Sequence, residues 1–416
     1  MKKTILLVGF NIIMFSLFSQ TADSVSLLPS YKNQSYYDFS NGEVSNVDNT
    51  NWDLAFSVAG YGSSIRINGQ TNTKLYVYPN GDINDWATLD TNGMSSWKTV
   101  NNSDESWSLG AFDQNADANN PMDLGWGIYS TVTHHITGDS LHVIQLSDGS
   151  YKKLHILKLS SGNFEFKYAD IDGGNEVNAS LDKSSFTDKN FGYYSLQTGS
   201  EIDREPSNQT WSLLFTKYVT EIMPGMTYGV TGVLTNDGYT VAKAENIDLA
   251  NVDHNNFTNY ESKINIIGYD WKSFNMTSFS YDLQDSLCYF VKSDATGNIW
   301  KINFTAFEGS ATGKIVFNKE AVSTATIFDN STVSSFTIYP NPSSDKNINL
   351  LYELNTNGVN KTGRITDMKG NIVFTFDLNG NGFNKKMLNL SHLKSGAYFL
   401  SSETENQIIR EKLILQ

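Results

Sequence analysis

The sequence predicts a mostly β protein built from two tandem, related β units and a C-terminal β-sandwich. Three observations carry this. Charged residues make up only 18% of the 416, while Asn, Ser, Thr, Gly, Tyr and Trp abound. That palette suits strands and turns on an extracellular surface better than helices, whose exposed faces draw on Glu, Lys, Gln and Ala. Short apolar runs alternate at period two, and no long stretch repeats at three and four. A set of landmark residues also occurs twice. At 39% apolar the chain can bury sizeable cores, so wholesale disorder is excluded. The 30 basic and 44 acidic residues give a net charge of −14, and no basic patch stands out. A phosphate backbone would repel such a surface, so nucleic acid is not an expected partner. The single Cys288 excludes an internal disulfide framework and a Cys-based zinc site, and within Leu287 to Val291 it reads as a core residue.

Taken in order, Met1-Lys2-Lys3 and the apolar run Ile5 to Phe18 read as a signal peptide over 1–19, with a small residue at Ser19 for cleavage. The run is short for a bilayer span and carries Asn11 and Ser16, and no transmembrane segment is expected elsewhere. The first β unit is expected over 20–188. Its landmarks are Tyr36-Tyr37, Trp52-Asp53-Leu54-Ala55-Phe56 and Asp139-Ser140-Leu141. The second, over 189–322, repeats them as Tyr193-Tyr194, Trp211-Ser212-Leu213-Leu214-Phe215 and Asp285-Ser286-Leu287. Leu141 to Leu146 and Tyr151 to Leu159 flank Asp148-Gly149 and form a hairpin, read with a two-residue type I′ loop. A Ser/Thr-rich joint at 323–335 leads to a separate unit at 336–416, where Ile372, Phe374, Phe376 and Leu378 alternate with polar residues and Asp367-Met368-Lys369-Gly370 marks a hairpin turn.

The last unit joins Tyr339-Pro340-Asn341-Pro342, the Asp367-x-x-Gly370 turn, Leu390-Ser391-x-Leu393-x-x-Gly396-x-Tyr398 and a closing Lys412-Leu413-Ile414. It resembles the type A C-terminal sorting domain of the type IX secretion system. The resemblance implies passage through the periplasm to the outer-membrane surface or beyond, with the secretion machinery as partner. The body resembles the HmuY-like family of haem-binding, haemophore-like β proteins. The matching residues are Tyr36-Tyr37, Asn51 to Phe56, Ile65-Arg66-Ile67-Asn68-Gly69, Gly125-Trp126-Gly127-x-Tyr129, His134-x-Ile136-x-Gly138-Asp139-Ser140 and Asp148-Gly149-x-Tyr151-Lys152-Lys153. In the second unit they are Asp203-Arg204-Glu205-Pro206 and Trp211-x-x-x-Phe215-Thr216-Lys217-Tyr218. This likeness implies haem as ligand and haem, or a haem-carrying protein, as partner. Founding members are single-copy lipoproteins, whereas this chain reads as duplicated and has no lipid-acceptor Cys.

Haem iron takes His, Met, Tyr or Cys ligands. His134 and His135 lie in a polar loop after Trp126 and Tyr129, whose rings could stack on a porphyrin; the same loop also reads as a solvated turn. With a two-residue loop, His142 stands directly across from His155, near enough to chelate a divalent metal from one side or to serve as a packing pair. Asp113, Asn115, Asp117 and Asn119 place oxygens at alternating positions, as calcium loops do, although Ala118 stands where a glycine is usual. The sequence lacks the nucleophile elbow, zinc-protease, phosphate-loop and dinucleotide signatures, so a non-enzymatic binding protein is expected. A surface adhesin or glycan-binding module, and less so a carbohydrate-active hydrolase, are the alternatives.

Overall fold

The computed structural model describes residues 20–323, 333–354, 361–368, 371–378, 382–403 and 408–416. The expected signal peptide and most of the Ser/Thr-rich joint lie outside them. The fold is mostly β, as predicted, and among the described residues the only helices are 3-10 turns of three to five residues. The chain divides after Ser323 into two compact units.

The first unit begins with β1 (Thr21–Ser26), β2 (Asn33–Asp38) and β3 (Gly42–Asp48). Next come β4 (Leu54–Ser57), β5 (Ile65–Ile67), β6 (Lys74–Val77), β7 (Thr99–Val100), β8 (Gly127–Tyr129), β9 (Ile136–Gly138), β10 (Leu141–Gln145), β11 (Tyr151–Ser160), β12 (Asn163–Asp170), β13 (Val177–Asp182), β14 (Phe191–Ser195) and β15 (Ser200–Ile202). The remainder are β16 (Leu213–Met223), β17 (Met226–Thr235), β18 (Tyr239–Glu245), β19 (Lys272–Asn275), β20 (Ser280–Leu283), β21 (Leu287–Ser293), β22 (Ile299–Phe307) and β23 (Lys314–Ser323).

Two cores organise these strands. In the first lobe a sheet ordered β13-β12-β11-β10-β6-β7, with the β8–β9 hairpin attached through β11, faces a smaller sheet ordered β15-β14-β4-β5. Leu54, Phe56, Phe112, Trp126, Leu154, Phe164 and Phe166 fill the space between them. In the second lobe a sheet ordered β1-β23-β22-β21-β18 faces one ordered β17-β16-β2-β3, around Tyr37, Phe215, Trp271, Tyr289 and Phe317. Alternation places Leu54 and Phe56 in the first core and Ala55 on the other face, and likewise Leu213 and Phe215 against Leu214. Those other faces meet at Trp107, which packs on both. Each large sheet is also covered outside. Leu89 and Trp97 cover Leu141 and Val143 in the first lobe, and residues from Ile247 to Tyr260 cover Cys288 and Phe290 in the second. Cys288 is a fully buried core residue, as expected.

The strand pairing does not divide at residue 188. β1 pairs with β23, matching Thr21 to Lys319, and β2 pairs with β16, so the chain's first three strands sit in the second lobe.

In the second unit, β24 (Val333–Tyr339), β25 (Asn347–Leu354) and β28 (Gly382–Asn389) form one sheet. β26 (Lys361–Thr366), β27 (Ile372–Leu378), β29 (Gly396–Glu403) and β30 (Ile408–Leu415) form the other. Leu350, Ile365, Phe376, Leu378, Leu400 and Leu413 pack between them. The alternation in β27 runs from exposed Ile372 to buried Phe376 and Leu378. Asn341 of the opening motif donates from Nδ2 to the Lys412 carbonyl and accepts at Oδ1 from Ile414 N–H, tying the opening motif to the closing one. Lys369 and Gly370 of the predicted hairpin turn lie outside the described residues.

Candidate functional site

The β8–β9 hairpin joins the edge of β11 through β9, and glycine stands on both strands at its open end, where Gly127 pairs with Gly138. A Cβ on Gly127 would lie 2.5 Å from the Thr137 carbonyl oxygen, and one on Gly138 would collide with that of Ile156. The turn between them closes through Ser130 N–H to the His135 carbonyl (2.8 Å) and His134 N–H to the Ser130 carbonyl (2.9 Å). His134 takes a positive φ of 57° there. This holds His134 and His135 exposed at the tip, with Tyr129 at its base.

The tip borders an open cleft of about 1020 Å³, lined by Tyr61, Leu124, Tyr129, His134, His135, Leu159 and Lys183. That volume is at the top of the ~300–1,000 Å³ usual for small-molecule sites. Tyr129 Oη and His134 Nδ1 are 2.8 Å apart. With the proton on Nδ1 donating to Tyr129, Nε2 keeps its lone pair for a metal ion. Lys183 is the one Lys or Arg among the lining residues; its ammonium donates to the Gly60 and Gly62 carbonyls, and burial lowers its pKa. His134 and His135 are neighbours on one rim, so they reach a porphyrin from one face only.

Trp126 is not in the cleft. It is a fully buried member of the first core, donating from Nε1 to the Ser63 carbonyl at 3.2 Å. The His142–His155 pairing also needs correction. The loop holds three residues, Ser147-Asp148-Gly149, with Gly149 at φ 85°, and Leu146 N–H bonds the Ser150 carbonyl. The register is therefore one residue off, with His142 opposite Leu154 and His155 opposite Leu141. A one-residue slip changes faces: His142 packs 4.8 Å from the Phe112 ring in the first core, while His155 shares the outer face with Leu141. They cannot chelate one ion together. Both are buried, the His142 ring makes no hydrogen bond among the described residues, and burial lowers their pKa values to about 3 and about 4.

The calcium reading is not supported. Asp113 turns inward, caps Gly110 N–H at 2.6 Å near Arg66, and desolvation raises its pKa to about 7. Asn115 accepts from Lys98, and Asp117 caps Asn119 N–H. These residues satisfy the local backbone and do not converge. Among the described residues no three His, Cys, Asp or Glu side chains gather to hold a metal ion. Sequence reasoning missed Tyr61, Leu159 and Lys183, which reach the cleft from separate turns and carry no local signal.

A second buried polar group sits where the small sheets meet. Glu205 accepts from Asn190 N–H (2.9 Å) and Tyr193 Oη (3.0 Å), and desolvation raises its pKa to about 7 despite neighbouring Arg204. Tyr36 Oη lies 3.5 Å from Tyr193 Oη.

Residues 30–169 match the HmuY protein family, and residues 337–416 match the secretion system C-terminal sorting domain. The HmuY match spans the β8–β9 hairpin and most of the cleft. The sorting domain marks the chain for export to the cell surface or extracellular space. A search of curated proteins found no match. A solved structure described as "Biofilm associated protein - BSP domain" aligns with 98% of this chain and 84% of its own at 10% identity, with a TM-score of 0.18. That likeness carries no argument. Among the described residues no helix is long and apolar enough to cross a membrane.

Proposed function

We propose that the body captures haem or a related porphyrin in the cleft beside the β8–β9 hairpin, as a non-enzymatic exported protein handled by the type IX machinery. The observation that carries this is the convergence of His134, His135, Tyr129, an apolar wall at Leu124 and Leu159, and the Lys183 cation on one open cleft. An imidazole supplies the iron ligand, the wall removes porphyrin surface from water, and the ammonium attracts a propionate. The HmuY match over residues 30–169, which takes in all of these but Lys183, supports the assignment. The test is a haemin absorbance titration of the mature body beside a His134→Ala, His135→Ala variant. A Soret shift in the parent that the variant loses is expected; equal spectra in both would refute the site.

A second reading, glycan binding, has its own observation. A cleft of about 610 Å³ between β6–β7 and the β16–β17 hairpin is lined by Lys74, Tyr76, Trp97, Asn101, Tyr151 and Tyr228. Aromatic faces beside hydroxyl, amide and ammonium groups suit saccharides. A glycan array probed with the parent and with Tyr228→Ala tests it: hits that weaken in the variant support it, and an empty array removes it.

A further inference from the structure

We infer that the body is one fold present twice, with the second copy closed by the first three strands of the chain. The strand pairings repeat residue for residue. β4 follows Trp52 and pairs with β14, matching Ala55 to Tyr193 and Leu54 to Tyr194. β16 follows Trp211 and pairs with β2, matching Leu214 to Tyr36 and Leu213 to Tyr37. Asp53 N–H bonds the Tyr194 carbonyl at 3.0 Å, and Ser212 N–H bonds that of Tyr37 at 2.7 Å. The Trp52 ring lies edge-on to Tyr193 at 5.0 Å, and Trp211 edge-on to Tyr36 at 5.0 Å.

The large sheets repeat as well, one residue off the Asp-Ser-Leu landmark: Leu141 lies on the outer, covered face while Leu287 enters the second core, so Leu141 corresponds to Cys288 and His142 to Tyr289. β10 lies between β6 and β11, β12 between β11 and β13; β21 lies between β18 and β22, β23 between β22 and β1. The register slips within β11 between Ile156 and Lys158, and within β22 between Phe304 and Ala306. A buried tryptophan precedes a hairpin in each lobe, Trp126 before β8–β9 and Trp271 before β19–β20. Chance resemblance of two β sandwiches does not preserve register, bulge and ring contacts together.

The equivalences make β1, β2 and β3 counterparts of β13, β14 and β15. The first copy is therefore contiguous, from about residue 49 to 210, and is inserted into the second, which is made of 20–48 and 211–323. The N-terminal strands act as a clasp. Val25, Leu27, Tyr37 and Phe39 enter the second core. Lys319 of β23 bonds the Phe39 carbonyl at 2.8 Å and pairs with Asp23 of β1, which also accepts from Tyr37 Oη at 2.6 Å. The second lobe cannot close until residues near 320 have been made and the N-terminus is free to reach them.

Two mirrored variants of the mature full-length protein test this by hydrogen exchange. Tandem units divided near residue 188 place Tyr37 with the first lobe and Tyr194 with the second; the interlocked arrangement places them the other way round. Tyr37→Ala is expected to speed amide exchange at least tenfold in β16 and β21–β23 while leaving β10–β13 unchanged. Tyr194→Ala is expected to do the reverse. If either alanine variant fails to fold, Tyr→Leu at the same position gives the milder perturbation. Loosening of β10–β13 by Tyr37→Ala, or equal loosening of both lobes by each variant, would overturn the inference.

Discussion

Replacing His142 with leucine isolates one term in the protein's acid stability. His142 is fully buried beside Phe112, and neither of its ring nitrogens makes a hydrogen bond among the described residues. Burial lowers its pKa from the ordinary 6.5 to about 3, the desolvation cost exceeding the smaller repulsion from His155. The folded state therefore holds fewer protons than the unfolded chain between these values. The neutral ring's contribution is full above pH 6.5 and is lost as pH falls towards 3. At ~1.4 kcal/mol per unit, the loss reaches about 3 kcal/mol by pH 4.5. Asp113 and Glu205, both raised to about 7, act in the opposite sense but are common to parent and variant. Urea unfolding followed by tryptophan fluorescence at pH 7.5 and 4.5 reads the difference. At pH 7.5 the variant should equal or exceed the parent, because two unsatisfied nitrogens costing roughly 1–3 kcal/mol each are gone. From pH 7.5 to 4.5 the parent should lose about 3 kcal/mol more than the variant. Parallel losses would refute the reasoning.

Other outcomes follow from the same geometry. Gly138→Ala drives a Cβ into the Ile156 carbonyl, so the β8–β9 hairpin should lift from β11. Faster exchange at Ile136 to Gly138 and weaker haemin binding would register it. Lys183→Glu reverses the cleft's cation and should weaken haemin binding by about tenfold at low salt, the difference shrinking as salt rises; a salt-independent effect would assign Lys183 to packing. Asn341→Ala removes both bonds to β30 and should lower the stability of a separately expressed tail by about 1–3 kcal/mol in thermal melts. A chain ending at Ser335 should fold but remain in the periplasm, and surface display of that truncation would contradict the sorting role.

Much of the fold was legible because its signals are local. Alternation marked the strands, and the Tyr-Tyr and Trp-x-Leu-x-Phe landmarks fall on β2, β14, β4 and β16. The tail motifs mattered because Asn341 and the 412–414 segment touch. What could not be read was distance. Nothing in Thr21–Ser26 indicates that its partner lies near Lys319, since any alternating strand offers the same backbone edge. Asp148-Gly149 fits a two-residue or a three-residue loop, and that ambiguity moved His142 and His155 to opposite faces. His134, His135 and Tyr129 were found from one contiguous motif, whereas Tyr61 and Lys183 join them only through folding. Trp126 was misplaced because a core indole and a cleft indole look alike in sequence.

Haem capture through an imidazole on one rim is tested most directly by electron paramagnetic resonance of the protein loaded with ferric haemin. A high-spin signal from iron ligated on one face, distinct from that of free haemin and reverting to it in His134→Ala with His135→Ala, is the predicted result. A low-spin bis-imidazole signal, a spectrum unchanged in that variant, or no complex with haemin would contradict the account.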